Sequence, residues 1–433
     1  MKTGNKIKVT VVAAILGGSL CSNSVYAGHQ HETKTIKFES FMAEAFDKNP
    51  GLRAKKSEYE SKRRRVFAAF LPEDPEIGVD FEGQSDFFDF DSKMNTEYML
   101  SQTIPFPTKL LLRGSVAAKE ADMAYQEYLE ETRDLIWHIE QPYYELYMVK
   151  KSLEVLLENQ DLLDQIVKVV KARYESNQVM QDEFLKAQIE LEKNGIEVFD
   201  MREKESVTEA HFAHIVNEPL HTQYELGEEE TRSKLLFSRD EMEEIALEKR
   251  PELKMLRIAI DKAKASGRLT QTEWLPDITG RLEERQFEES GKARERDAFI
   301  GLSIPVWSLL KGIGGTWQAA NDEVAAAEAT YEDMKNEVLL KVHEGYSKVK
   351  AAHNRIDTYE NVILPQSRQQ VEVALSSYAG GKTIFLSLID AQRNLKMAQM
   401  EYYESIAQFE MGLSDLRLAV GDDLKSKRED LRT

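Results

Sequence analysis

The sequence SSYAGGKTIFLSLIDAQ, residues 376–392, decides how the chain is expected to fold. It lies between two long segments with helical periodicity. Tyr378 and Gly381 form a Tyr-x-x-Gly pattern that predicts the end of the first helix, because glycine readily takes the positive φ of a helix C-terminus. Thr383 is predicted to cap the helix that follows. The stretch therefore predicts the tip of a long helical hairpin.

The same pattern occurs 204 positions earlier as RYESNQVMQDEFLKAQ, residues 173–188. Tyr174 corresponds to Tyr378, and Asn177, another residue that tolerates the left-handed conformation, corresponds to Gly381. Both stretches continue into Ala-Gln. Each half of the chain is therefore predicted to hold one very long helical hairpin with a matching tip.

The first 27 residues are predicted to be an export signal rather than part of the fold. Three lysines precede a short apolar run at residues 9–20, and Val-Tyr-Ala at residues 25–27 resembles a cleavage site. The run is shorter than a membrane-spanning helix requires. We therefore expect an exported protein.

Few residues are candidates for binding a metal ion or for thiol chemistry. Cys21 is the only cysteine and lies inside the predicted signal. A lipoprotein signal has an aliphatic residue three positions before the cysteine and a small residue just before it, but Gly18 and Leu20 occupy these positions. Cys21 is therefore interpreted as an ordinary signal residue, and lipidation stays the alternative. His29 and His31 could bind a metal ion weakly, or they belong to a polar terminus without a site.

The net charge restricts the class of partner. It is -19 for the whole chain and becomes more negative without the three signal lysines. This charge argues against nucleic acid as a partner. No segment after the signal approaches 18 uncharged apolar residues, which is the pattern of a transmembrane helix. Strands of a membrane β-barrel would leave a fainter pattern.

Four stretches of alternating apolar and polar residues predict strands, in one pair per half. They are residues 77–82, 98–104, 277–286 and 298–304. Four strands cannot close a barrel, and an open sheet edge cannot lie in lipid. If these strands enter a membrane, several chains must share one barrel, and three copies would supply twelve strands.

The helices complete a two-fold internal repeat. The chain is predicted to divide into a signal at 1–27, a first repeat at 28–216, an acidic irregular linker at 217–240, a second repeat at 241–421 and a polar tail at 422–433. Within the repeats we predict helices at 38–69 (interrupted at Asn49-Pro50), 109–174, 180–216, 309–377 (bent at Pro365) and 384–420. Thr108 is the predicted cap of the helix at 109–174.

A heptad seam is predicted in each long helix. In the first helix it comprises Leu146, Val149, Leu153, Leu156, Gln160, Leu163, Val167, Val170 and Tyr174. In the second it comprises Val349, Ala352, Ile356, Tyr359 and Ile363. Steps of three and four residues are typical of helices that pack as a coiled coil.

The whole chain after the signal resembles the TolC family of outer-membrane efflux proteins. The residues that carry the resemblance are the two tips, the Lys186-Ala187-Gln188 and Asp390-Ala391-Gln392 continuations, Ile363-Leu364-Pro365, and the Thr-Ile-Pro and Ser-Ile-Pro strand ends at 103–105 and 303–305. The resemblance implies a mainly α fold with a membrane β-barrel. In that fold a trimeric α-barrel of long coiled-coil helices joins a shared 12-stranded outer-membrane β-barrel, with four strands from each chain.

The resemblance also implies a function without catalysis or cofactor. The protein would be a homotrimeric, porin-like channel in the outer-membrane lipid with a long periplasmic portion. It would serve as the exit duct of a tripartite efflux or type I secretion system, together with a periplasmic adaptor (membrane fusion protein) and an inner-membrane pump. The exported substrate, whether metal ion, drug or protein, and the pump family are left open.

The resemblance assigns two groups of site residues. The adaptor-docking tips are Ser176, Asn177, Gln178, Val179, Gly380, Gly381, Lys382 and Thr383. The periplasmic gate is Asp390, Ser387, Glu183 and Tyr378. The family places acidic residues at both Ser387 and Asp390, so one ring of charge is expected here instead of two. Glu183 and Tyr378 correspond to a contact that holds the closed state.

Two alternatives keep other functions open. Periodicity alone favours Asp390 as a solvated charge near a helix start, whereas the resemblance favours the gate. Tyr174 and Tyr378 are equally explained as packing residues at helix ends. A soluble periplasmic coiled-coil scaffold or adaptor would explain the heptads but not the paired strands. An enzyme is not expected, because the acidic residues at 283–289 lack an accompanying His, Ser or Cys constellation.

Overall fold

The computed structural model describes residues 33–36, 38–82, 95–226, 237–287 and 294–424. The first half consists of β1 (Thr33–Ile36), α1 (Phe38–Lys48), α2 (Pro50–Ala69), β2 (Glu76–Glu82), β3 (Asn95–Ile104), α3 (Pro107–Glu175) and α4 (Gln181–Ile215). The predicted signal, Cys21, His29 and His31 lie outside the described residues.

The second half repeats this order with additional breaks. After β4 (Gln223–Leu226) it consists of α5 (Arg239–Lys249), α6 (Pro251–Thr272), β5 (Asp277–Phe287), β6 (Arg294–Ser303), α7 (Val306–Lys311), α8 (Trp317–Thr358), α9 (Leu364–Ala379) and α10 (Phe385–Val420). The repeated order of elements agrees with the predicted duplication. The repeat limits at 216 and 241 stay a prediction.

A small parallel sheet occupies part of the predicted irregular linker. β1 pairs with β4 in parallel register from Thr33 opposite Gln223 to Ile36 opposite Leu226. Tyr224 is buried against Phe41 and Phe212. The prediction of an irregular segment is therefore wrong for residues 223–226, because a four-residue strand is too short to produce a clear alternation.

The four predicted strands form one antiparallel sheet in the order β2-β3-β5-β6. The central pairing joins the two halves of the chain, with Leu100 opposite Leu282. Ile77 lies opposite Leu100 on one side, and Leu282 lies opposite Ala298 on the other. β2 and β6 are consequently the two outer strands.

α3 is a single helix of 69 residues, as predicted, and continues through Gly114 and Pro142. At 1.5 Å per residue it is about 100 Å long. Gly114 is required where α3 passes α2, because a Cβ atom there would lie 2.2 Å from the Phe70 ring. Thr108 is not the cap, since α3 begins at Pro107 after Phe106 and has no side-chain cap hydrogen bond.

The prediction of one continuous helix at 309–377 is wrong. Residues 312–316 and 359–363 are π-helical segments, and Gly315 within the first has a φ of 131°. These segments separate α7, α8 and α9. The path from the strand end at Ile304 to Tyr378 is longer than that from Ile104 to Tyr174, and π-helical turns accommodate extra residues within a helix.

The structure confirms part of each predicted seam. In α3 the predicted Leu146, Val149, Leu156, Leu163 and Val170 are buried, together with Ser152, Asn159 and Ile166. The prediction placed Leu153, Gln160 and Val167 where Ser152, Asn159 and Ile166 are buried. In the second repeat Val349, Ala352 and Ile356 are buried as predicted, and the π-helical segment at 359–363 then moves the buried position to Leu364.

Three apolar clusters hold the helices together. One lies in the first half around Phe212, one in the second half around Phe409, and one near both hairpin tips around Tyr378. The tip cluster takes residues from α3, α4, α9 and α10, so the two hairpins converge there. The tips and the four-stranded sheet lie at opposite ends of α3.

Candidate functional site

The two hairpin tips have the same backbone geometry. In the first, the N–H of Gln178 donates to the Arg173 carbonyl at 2.9 Å, and the N–H of Asn177 donates to the Tyr174 carbonyl at 2.9 Å. In the second, the N–H of Lys382 donates to the Ser377 carbonyl at 2.8 Å, and the N–H of Gly381 donates to the Tyr378 carbonyl at 3.0 Å. Both patterns are Schellman motifs.

The motif explains the residues at the turning positions. Asn177 has a φ of 55° and Gly381 a φ of 70°, which are the left-handed conformations predicted for these two residues. Ser176, Asn177, Gln178, Gly380, Gly381 and Lys382 are exposed, and Val179 and Thr383 are half-buried. Both tips therefore present mainly polar side chains and backbone at the end of the molecule.

The predicted capping role of Thr383 is wrong. α10 begins after Ile384 and α4 begins after Met180, and neither helix has a side-chain cap hydrogen bond. Instead, the N–H of Ser387 donates to the Ile384 carbonyl at 3.1 Å, and that of Glu183 to the Met180 carbonyl at 3.2 Å. Extended residues therefore connect each Schellman motif directly to its return helix.

Tyr378 joins the two hairpins near the tips. Its side chain is buried in the tip cluster, and its hydroxyl donates to Glu183 Oε2 on α4 at 2.8 Å. Burial raises the pKa of Tyr378, and the hydrogen bond to Glu183 raises it further. The hydroxyl consequently remains a neutral donor, and the Glu183 carboxylate is its acceptor.

Arg173 is a member of this group that the sequence did not single out. Its guanidinium donates to the Tyr378 carbonyl and lies 4.6 Å from the centroid of the Tyr378 ring, in cation–π geometry. Arg173 is on α3, Tyr378 on α9 and Glu183 on α4. The three side chains therefore connect both hairpins at one point, which we call the tip triad.

The equivalent position in the first repeat has a different environment. Tyr174, which corresponds to Tyr378, stacks on Phe184 of its own hairpin with the ring centroids 5.9 Å apart and the planes at 2°. Ser387 occupies the position that corresponds to Glu183. The hydrogen-bonded arrangement is therefore specific to the second tip.

Ser387 and Asp390 lie in the first two turns of α10, three residues apart and both exposed. Residues at this spacing share one face of a helix. The structure thus brings Glu183 and Tyr378 into contact, and it places Ser387 and Asp390 together on the neighbouring helix surface. The gating role of all four residues stays a prediction.

At the other end of the molecule, the four-stranded sheet has two chemically distinct faces. Successive side chains of a strand point to opposite faces, so the register defines each face. One face carries exposed apolar side chains, among them Ile77, Val79, Tyr98, Leu100, Leu282, Ile300 and Leu302. The opposite face carries mainly polar and charged side chains, among them Glu76, Asp80, Glu97, Arg281, Glu283 and Asp297.

The apolar residues share this face with charged residues of β5 and β6. Glu284 lies opposite Tyr98 and forms ion pairs with Arg294 at 3.3 Å and Arg296 at 3.0 Å. Charged side chains therefore border the apolar residues on the β5–β6 side of this face.

Within the described residues, no helix combines the length and the apolar character needed to cross a membrane. In the same part of the chain, no group of three or more His, Cys, Asp or Glu side chains is arranged to hold a metal ion.

Part of the chain matches a known family, and the fold matches that of solved structures. A model of the outer membrane efflux protein family matches residues 244–422. The solved structure of the outer-membrane channel OprN has a TM-score of 0.77 to this chain at 15% identity, and the superposition covers 90% of both chains. At this identity the similarity defines the fold, which is that of the channel and extends over both repeats.

Two curated relatives match part of the chain. The alkaline protease secretion protein AprF of Pseudomonas aeruginosa is 25% identical over 184 residues, which are 41% of this chain and 38% of that protein. The cobalt-zinc-cadmium resistance protein CzcC of Cupriavidus metallidurans is 24% identical over 164 residues, which are 37% of this chain and 38% of that protein. Each match thus spans less than two fifths of the relative.

These findings agree with the resemblance found in the sequence. The outer membrane efflux protein model matches residues 244–422, and the described chain has the fold of the solved outer-membrane channels.

Proposed function

We propose that this protein is the outer-membrane exit duct of a tripartite efflux or type I secretion system. The observation that carries the proposal is the sheet with one apolar and one polar face, in a fold shared with a solved outer-membrane channel. In a closed barrel the apolar face would meet lipid and the polar face would line an aqueous passage. The helical part of the chain, about 100 Å long measured along α3, would extend through the periplasm.

The working unit is a homotrimer. β2 and β6 are the outer strands of the sheet, and an unpaired edge is not tolerated in lipid. Pairing β6 of one copy with β2 of the next closes twelve strands from three copies. This closure would bring the end of β6 beside the start of β2 in the neighbouring copy.

The surface of α4 supports the same assembly. Leu185, Ile189, Ile196, Phe199 and Val207 follow heptad-like steps, and each is between 47% and 62% exposed in the single chain. A coiled-coil seam of this kind is stable only against a partner helix. We assign that partner to the next copy, and we call these five residues the α4 stripe.

The two tips are the docking site for a periplasmic adaptor that belongs to an inner-membrane pump. They are exposed, they share one backbone geometry, and they lie at the end of the molecule that is opposite the sheet. Three copies would present six similar turns in a ring.

A soluble periplasmic scaffold is the alternative function. A scaffold would use the same heptad seams, but that function does not explain why one face of the sheet is apolar. Extraction from the membrane fraction only by detergent would support the duct, whereas full solubility without detergent would support the scaffold.

The partial relatives bear on two of the three expected substrate classes, proteins and metal ions. The names of the partial relatives mention protease secretion and resistance to cobalt, zinc and cadmium. The predominance of carboxylates on the polar sheet face would favour cations in a passage that it lines.

The gate is assigned to the tip triad and to Asp390. Three copies of Asp390 around one axis would repel one another and attract cations, while Glu183 and Tyr378 hold the closed state.

In planar bilayers, a trivalent cation added on the periplasmic side should block the wild-type channel, and Asp390→Asn should weaken this block. Asp161→Asn, which removes an exposed carboxylate on α3, is the matched control and should leave the block unchanged. Equal block of wild type and Asp390→Asn would place Asp390 away from the constriction.

A further inference from the structure

Three glutamates on α4 are spaced at heptad steps and each reaches the second hairpin. Glu183 accepts from Tyr378, Glu190 pairs with Arg393, and Glu197 pairs with Lys396. Positions seven residues apart lie on one face of a helix. Side chains on one face of α4 thus contact the second hairpin over two heptads, beginning next to the tip.

The two upper pairs have the geometry of direct ion pairs. Arg393 donates to Glu190 through Nη2 at 2.6 Å and through Nε at 3.3 Å. Lys396 Nζ lies 2.8 Å from Glu197 Oε2 and 3.0 Å from Oε1. In each pair one partner is largely buried, because the side chains of Glu190 and Lys396 are 16% and 17% exposed.

Apolar packing along this face is limited. Among the described residues Ala187 is the single α4 residue fully buried in the tip cluster, and Phe184 and Leu191 are partly buried against it. The backbones of α4 and α10 do not pack closely against each other, since α4 packs mainly on α3 and α10 packs on α8 and α3. Long charged side chains therefore make much of the direct connection between α4 and α10.

A buried amide group lies between the two ion pairs along α4. Asn159 donates to Asn194 at 2.7 Å and accepts from Gln392 at 2.6 Å, while Asn194 donates to the Leu156 carbonyl at 2.9 Å. All three side chains are at most 5% exposed. The three amides connect α3, α4 and α10, and we call them the amide triad.

The amide triad and the ion pairs respond differently to solvent. Exposed and half-exposed ion pairs are screened by salt, whereas buried hydrogen bonds are screened much less. Removing one partner of a buried amide contact leaves a polar group unsatisfied, which is costly. Separation of the hairpins from the tip would thus break Glu183–Tyr378 and Glu190–Arg393 before it reached the buried contacts.

We propose that Glu190–Arg393 is an additional gate link, and that separation of the hairpins ends at the amide triad, so that Glu197–Lys396 beyond it stays intact. This inference rests on the proposed function as a gated duct. It extends the gate from the tip to the level of Gln392 and makes the triad the pivot of opening.

The first test measures conductance of the full chain in planar bilayers between 0.1 and 1 M KCl. Glu190→Gln should raise the open probability roughly tenfold at low salt, because a weak link is lost in each of three copies. Raising the salt concentration should reduce the difference in open probability between Glu190→Gln and the wild type.

The double variant Glu190→Arg with Arg393→Glu should restore closure. Glu192→Gln, an exposed change on the same helix, is the matched control. Equal behaviour of Glu190→Gln and Glu192→Gln would overturn the role of the link.

The second test locates the pivot by maleimide labelling in a Cys21→Ser background. Ala187→Cys lies on the tip side of the amide triad and Ala398→Cys on the far side, and both native side chains are buried. In the Glu190→Gln protein, labelling should accelerate at residue 187 and stay slow at 398. Equal acceleration at both residues would overturn the pivot. A wild-type protein that forms no pore would contradict the duct itself, while the labelling pattern would still test the link.

Discussion

At the residue scale, the second tip depends on a few side chains whose partners are distant in sequence. Tyr378, Glu183 and Arg173 come from three helices and meet at the tip triad. The resemblance to a known family predicted Glu183 and Tyr378, but no local pattern marked Arg173. Its contacts exist because α3 lies beside the end of α9, and periodicity along one helix carries no information about that arrangement.

Tyr378→Phe should loosen the closed state. The change removes the donor to Glu183 and leaves a half-buried carboxylate without it, at a cost of about 1–3 kcal/mol per chain. Cells carrying the variant should become more sensitive to large antibiotics that are normally excluded. Tyr174→Phe is the matched control, because Tyr174 stacks on Phe184 through its ring. Equal sensitivity of the two variants would show that the Tyr378 hydroxyl does not hold the gate.

Gly381→Val should destabilise the second tip. The residue has a φ of 70°, where a β-branched side chain costs about 1–2 kcal/mol. Gly380→Ala is the control, because an added Cβ there meets the Ser376 carbonyl at an ordinary 3.5 Å and φ is negative. Thermal unfolding should show a lower midpoint for Gly381→Val alone. An unchanged midpoint would mean that the turn relaxes without strain.

At the element scale, the sequence predicted the helical hairpins well and their packing faces only in part. One column of the α3 seam, which includes Val149 and Leu163, is correct because its residues are apolar. After Leu146 the other column is shifted by one position, since Ser152 and Asn159 are buried polar residues that an apolar pattern passes over. The two π-helical segments were also missed, because the longer path in the second repeat does not show where along the helix the extra residues are accommodated.

Phe199→Asp should prevent assembly without unfolding the chain. It places a charge in the α4 stripe, where the next copy is expected to pack, and burial of an unpaired charge is strongly unfavourable. Helical content measured by circular dichroism should be retained, while the size in detergent should fall to that of one chain. The control is Asp200→Asn, an exposed change at the adjacent position. A trimeric Phe199→Asp protein would show that the stripe has another partner.

At the scale of the whole molecule, the fold follows from duplication and from the sheet. The strand pairs were predictable because alternation survives in each half, and their union into one sheet followed once β3 paired with β5. The short β1–β4 sheet was not predictable, since its strands are far apart in sequence and four residues long. The outer strands β2 and β6 leave the single chain incomplete, so assembly is the central claim.

The most direct test of that claim is the mass of the purified protein in detergent, corrected for bound detergent, by sedimentation or light scattering. The account predicts about three chains per particle, because twelve strands close the barrel. The same particles should insert into planar bilayers as single channels. A stable monomer with full helical content and no channel activity would contradict the account.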